Sequence, residues 1–256
     1  MRASVRTVLI ASTLMSFAGM AQAAEIRVLT VRAPEQALRA LAADFAKESG
    51  HQVVFTVGSP AVVMQKIKAN EVHDAVIVSE GAMDQLDRQG IVNPESRARL
   101  ANTGIGVVVR EGAPLPDVST AEAFKQALLA AKSIVYGDVF ANTSGEKVEK
   151  ILAAAGILDA LRPKLKIVSG HANSQPMIAK GEIELGLYNL SEIPDGKGIA
   201  LAGPVPAPLQ LVTTYEAALM SDGAAVEATR AFINFLASPD ARPRWSAARL
   251  EPLADH

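Results

Sequence analysis

The chain of 256 residues contains no cysteine. Disulfides, a thiolate nucleophile, a zinc–thiolate site and an iron–sulfur cluster are therefore excluded. Histidine is scarce: His51, His73, His171 and His256 are the four, scattered without the close spacing of metal ligands, so no metal and no cofactor is expected. Three Tyr and one Trp leave few rings for a cleft that stacks on sugars. Neither sign of charge dominates, with 25 Lys and Arg against 27 Asp and Glu. A partner that needs a strong global field, such as nucleic acid or an anionic membrane, is thereby disfavoured, and a ligand has to be gripped locally. Phosphate-loop and dinucleotide fingerprints are lacking, since Gly104-Ile105-Gly106 has neither a third glycine nor a following helix. No nucleophile-elbow pattern precedes a helix, so no Ser/His/Asp triad follows. Heptads, tandem repeats and low-complexity tracts are absent.

What is present begins with an export signal over residues 1–23. Arg2 and Arg6 form a basic n-region, residues 8–20 an apolar stretch, and Ala21-Gln22-Ala23 a small-x-small cleavage site. The apolar run falls short of the ~20 residues a membrane span needs and is broken by Ser12, Thr13 and Ser16. A soluble monomer released into the bacterial periplasm is expected, starting near Ala24. Its length, about 230 residues, suits one large or two small domains.

Strand-like apolar runs then alternate with helix-period segments, the pattern of an α/β protein whose parallel sheet is wrapped by crossover helices. Strands are expected at 26–31, 52–57 and 75–78. Helices follow them, one carrying Leu38, Leu41 and Phe45 up to Gly50, the others at 62–69 and 83–88. Residues 104–110 form a further strand, and a proline-containing segment at 112–116 leads into a second set. That set comprises helices at 124–131, 148–155 and 177–180 and strands at 133–136, 166–168 and 184–188. A strand at 209–214 and an amphipathic helix at 224–236 complete the chain. Two lobes follow, the first from 24–107 and 211–256, the second from 108–210. The same order of elements also fits one continuous doubly wound sheet.

Ligands of such folds collect beyond the carboxyl ends of strands, where helix starts offer unpaired N–H groups. Arg32-Ala33-Pro34 is the first such junction. Ala33 has no side-chain acceptor to cap a helix, Pro34 suits the first helical position, and the donors of Glu35 and Gln36 are left for a ligand. Arg32 offers bidentate geometry for a carboxylate, against the plainer reading of a solvated loop arginine. Gly58-Ser59-Pro60 repeats the design, and an ordinary Ser-Pro helix start explains it equally well. Thr143 and Glu146 have capping-box spacing, beside which Ser144 and Gly145 present a hydroxyl and an N–H. Ser169 to Ser174 carries His171, either a surface histidine or a group able to change protonation near neutral pH. Tyr188-Asn189 ends the strand at 184–188 and closes the set.

Residues 29–34 with Leu38 and Phe45, then 55–67, 75–79, Tyr136-Gly137-Asp138 and the strand at 185–188, are similar to the periplasmic molybdate-binding protein family. The resemblance covers nearly the whole mature chain and implies a two-lobed type II periplasmic-binding-protein fold with an interlobe cleft. That family grips its oxyanion with a serine at each of the first two helix starts and a tyrosine on a late strand. Ala33, Pro60 and Asn189 stand at those places here. With Arg32 and His171 adding charge, the cleft resembles instead the family's aconitate isomerase branch, whose substrate is a small tricarboxylate. The resemblance implies isomerisation between trans- and cis-aconitate by an allylic proton shift. Arg32, Ala33, Ser59, Pro60, Ser144, Gly145, His171 and Asn189 would bind substrate; His171, with Tyr188 and Glu35 in reserve, would move the proton. The competing expectation is a solute receptor that delivers a carboxylate, or molybdate or tungstate, to an ABC permease; a third is a sensory partner of a membrane kinase.

Overall fold

The computed structural model describes residues 23–138, 144–168 and 171–253, with the side chains of 171–173 outside the description. The export segment at 1–22 lies outside it as well. In chain order the first lobe runs β1 (Glu25–Val31), α1 (Glu35–Ser49), β2 (Gln52–Gly58), α2 (Pro60–Lys68), β3 (Ala75–Ser79), α3 (Glu80–Arg88) and β4 (Ala98–Thr103). The second comprises β5 (Ile105–Arg110), α4 (Ala121–Ala130), β6 (Ile134–Gly137), α5 (Gly145–Ala154), α6 (Leu158–Leu161), β7 (Leu165–Val168), α7 (His171–Ala179), β8 (Leu185–Asn189) and β9 (Ile199–Pro204). The chain then returns through β10 (Thr213–Leu219), α8 (Val226–Ala237), α9 (Arg242–Ala247) and β11 (Glu251–Pro252).

Two separate sheets result, ordered β11-β4-β10-β3-β1-β2 and β7-β6-β8-β5-β9, which disposes of a single continuous sheet. Both are mixed rather than parallel. β1, β2 and β3 run together, as do β6, β7 and β8, while β10 and β5 pair antiparallel with their neighbours. The near-continuous apolar runs of β1 and β3 suit strands covered on both faces. On one side α1 buries Ala37, Leu38, Leu41, Ala42 and Phe45 on one face, and it stops where Gly50 takes φ 76° and donates its N–H to Ala46 O. Phe45 meets Phe232 of α8 with ring centroids 5.1 Å apart, and Trp245 completes this core. The second sheet is covered on both faces: Tyr136 of β6 packs among Phe124, Ile151 and Leu152, and Tyr188 of β8 among Val108, Val135 and Ile178.

The chain leaves the first sheet after Thr103 and enters the second at Ile105, ahead of the 107/108 division read from the sequence; Gly104 is the joint. It comes back between Pro204 and Thr213. Gln210, in the returning segment, holds the two crossings together. Its Oε1 accepts from Ile105 N at 2.8 Å, and its Nε2 donates to Ile105 O at 2.9 Å and Val205 O at 3.2 Å. A Cβ on Gly104 would lie 2.8 Å from that amide, which is why the joint is glycine.

Three strand expectations need correction. The strand at 209–214 is instead at Thr213–Leu219: Leu211 and Val212 are exposed in the crossing, while all of β10 is buried. β4 and β9 were not anticipated, one for its polar ARLANT sequence, the other for its Gly-Pro end. Buried Glu216 masks β10 as a strand. Its carboxylate is met by Arg97 Nε at 2.5 Å and Arg99 Nε at 3.7 Å.

Candidate functional site

The carboxyl ends of β1 and β8 meet across a cavity of about 380 Å³, where Arg32, Glu35, Gln36 and Arg39 of the first lobe face Gln175, Ser191, Glu192 and Pro194 of the second. Its size falls in the ~300–1,000 Å³ range of small-molecule sites. Pro34 is the N-cap of α1, not its first helical residue, and no side chain caps the helix. Glu35 N is already taken by Arg32 O at 3.0 Å, so of the two donors expected there only Gln36 N–H lacks a backbone partner among the described residues. Ala33 has its methyl in the first-lobe core, so only its backbone can face a ligand. Arg32 is largely exposed, with Nη1 4.0 Å from Glu35 Oε2. Arg39 Nε engages Glu35 far more closely, at 2.9 Å from Oε1. The Arg32 guanidinium thus keeps most of its donors for an incoming anion.

The remaining helix starts differ in how they are used. Ser59 is spent as a cap, its Oγ accepting from Val62 N at 3.3 Å, and Pro60 occupies the first turn. Ser79, at the start of α3, makes no such cap and stands next to exposed Glu80. In the second lobe Thr143, and with it the expected capping box, lies outside the described residues, while Glu146 pairs with Lys150 at 2.5 Å. Ser144 is the N-cap residue of α5 and is fully buried with Gly145. Its Oγ has no hydrogen-bond partner among the described residues. Ala33, Ser59, Pro60, Ser144 and Gly145 do not line the 380 Å³ cavity with Arg32.

His171 begins α7, and its side chain lies outside the described residues, as do Ser169 and Gly170. Tyr188 is buried in β8, its hydroxyl donating to Ser174 Oγ at 2.8 Å. Burial pushes the phenol up to about 12, with the Ser174 bond acting the other way and Glu192 adding to the rise. That shift favours the protonated, neutral phenol. Asn189 is also buried, and its Nδ2 donates to Glu192 Oε2 at 2.7 Å. It reaches the cavity through Glu192, whose backbone carbonyl also accepts from Gln175 Nε2 at 2.8 Å.

Gln175, Glu192 and Lys147 escaped the sequence reading. Lys147 is half-buried in the first turn of α5. Burial pushes its ammonium below the ordinary lysine range; Glu146 opposes the shift, Lys150 reinforces it and Glu80 of the first lobe opposes it. A lysine in a first turn works against the helix dipole, and that misplacement is the signal the sequence held. Among the described residues no group of three or more His, Asp and Glu is arranged to hold a metal ion, and no helix is long and apolar enough to cross a membrane.

Two lobes on separate sheets, joined by paired crossings and enclosing polar helix starts, define a type II periplasmic-binding-protein fold. A family model described as bacterial extracellular solute-binding protein matches residues 26–248, and the chain belongs to that family. Aconitate isomerase of Pseudomonas sp is 34% identical over 196 residues, 76% of this chain and 73% of that one. The molybdate-binding protein ModA of Azotobacter vinelandii is 25% identical over 232 residues, 86% of this chain and 87% of its own. The solved Azotobacter vinelandii periplasmic molybdate-binding protein superposes with a TM-score of 0.76 at 22% identity, covering 90% of this chain and all of that one. Membership of this family places the protein outside the cytoplasm.

Proposed function

We propose that the chain is a periplasmic aconitate isomerase. The observation that carries the reading is the 34% identity to aconitate isomerase over 76% of this chain, above the 25% to the molybdate-binding relative. The residues at the oxyanion-gripping positions agree with it. A cleft with Ala33, Pro60 and Asn189 there has lost three neutral hydroxyl contacts and gained Arg32, a change suited to a larger, carboxylate-bearing ligand. Basic Arg2 and Arg6, the apolar stretch and Ala21-Gln22-Ala23 support export and cleavage.

The chemistry needs no redox partner. A base takes a proton from the methylene carbon of trans-aconitate, and the C–H electron pair spreads into a dienolate over the adjacent double bond and carboxylate. The proton returns to the far carbon of the allyl system, the double bond shifts, and cis-aconitate results. Fixed positive charge has to meet the developing oxyanion, and a titratable group has to carry the proton. Arg32 and the helix starts at Gln36, Ser59 and Ser144 supply the first, and His171 at the start of α7 is our choice for the second. Tyr188 supports α7 through Ser174.

The second reading, a receptor that passes a carboxylate or molybdate to an ABC permease, is favoured by the 86% coverage by a molybdate-binding relative. Turnover separates the two. Purified, metal-stripped protein that converts trans- to cis-aconitate is an isomerase; protein that binds aconitate or molybdate without converting aconitate is a receptor.

A further inference from the structure

Among the described residues Lys147 has no ion-pair partner. It lies three residues after the N-cap Ser144, where the positive end of the helix dipole disfavours it. Lys150, one turn on, is neutralised by Glu146 at 2.5 Å, yet no carboxylate comes within ion-pair distance of Lys147 among the described residues. Glu80, which acts on it from the first lobe, is itself 3.8 Å from Arg99. At the same helix start the fully buried Ser144 hydroxyl has no partner among the described residues and makes no cap bond. Unpaired buried polar groups cost free energy, so leaving a hydroxyl and a half-buried ammonium unmatched on one helix turn calls for a ligand group that satisfies both. A carboxylate does so, accepting from the ammonium, the hydroxyl and the first-turn N–H groups together.

We propose that Lys147 and Ser144 form the second-lobe seat for one substrate carboxylate, with Arg32 receiving another in the first lobe. The assignment rests on the tricarboxylate reading above, and it makes closure of the lobes depend on a ligand with at least two carboxylates. Calorimetry tests it with trans-aconitate and with propane-1,2,3-tricarboxylate, a saturated analogue that cannot be turned over. Lys147→Met is expected to weaken both acids about 10- to 100-fold, the range for a charge-assisted hydrogen bond. Lys147→Arg should restore affinity to within about threefold of wild type, because the charge is kept. Circular-dichroism melting checks the fold, and Lys147→Gln, which keeps a polar head group, replaces Lys147→Met if the latter unfolds early. Unchanged affinity in a folded, uncharged variant overturns the seat alone if the wild type isomerises trans-aconitate. Wild-type protein that binds neither acid overturns the seat and the functional reading together.

Discussion

Asp74→Asn should cost the first lobe about 2–4 kcal/mol at neutral pH, because one carboxylate ties three distant segments. Asp74 Oδ2 accepts from Arg27 N at 2.8 Å and Arg27 Nε at 3.4 Å, and Oδ1 accepts from Ala224 N at 3.0 Å and Ala225 N at 3.2 Å. β1 and the start of β3 are thus fastened to the segment leading into α8. The side chain is only 2% exposed. An asparagine keeps one acceptor oxygen but puts an NH₂ against two donors, losing about two bonds and stranding a buried N–H worth about 1–3 kcal/mol. Burial works to raise the Asp74 pKa, but the backbone bonds from Arg27, Ala225 and Ala224 and the Arg27 side chain outweigh it and lower it. A carboxylate lowered by folding contributes stability that is full above its unfolded value of about 3.9 and is lost as pH falls through the folded value. Trp245, the single tryptophan, is buried in the same core, so its fluorescence during urea unfolding reports this lobe. The gap between wild type and Asp74→Asn should be widest near pH 7 and shrink below about pH 4. A gap under about 0.5 kcal/mol at pH 7, or one that does not shrink with acid, refutes the reasoning.

Arg97→Met removes the closest partner of buried Glu216, leaving Arg99 at 3.7 Å among the described residues, and should lower first-lobe stability in the same urea assay by about 2–4 kcal/mol. Gly104→Ala drives a methyl into the Gln210 amide and should cost about 1–3 kcal/mol in a calorimetric melt, since that amide cannot move without releasing Ile105 and Val205. Arg32→Ala should weaken aconitate binding by about 1.5–3 kcal/mol in calorimetry with unfolding unaffected, and unchanged binding would return Arg32 to the solvated surface.

The fold was legible where strands are buried on both faces. The apolar runs of β1, β3 and β8 stand out against helices such as α1 with a single buried face. Legibility failed where tertiary pairing overrides local pattern. Glu216 makes β10 look solvated until Arg97 and Arg99 arrive from the far side of the chain, and Leu211 and Val212 look buried although they lie in a crossing between sheets. The site shows the same division. Junction residues such as Arg32 announce themselves by following a strand, and Ser59 reveals its cap by preceding Pro60. Whether a junction donor remains available depends on bonds no spacing displays, as with Glu35 N, which Arg32 O has already taken. Lys147 reads as any charged helix residue until its partial burial, and the lack of an ion pair among the described residues, are visible.

Isomerisation is tested most directly by incubating purified, metal-stripped protein with trans-aconitate in deuterated water and following the solution by proton NMR. Conversion to cis-aconitate, accompanied by deuterium entering the carbon that gains a proton, is the predicted result, and His171→Ala should slow it at least ~100-fold. No conversion and no catalysed exchange in wild-type protein would contradict the isomerase and leave a binding protein.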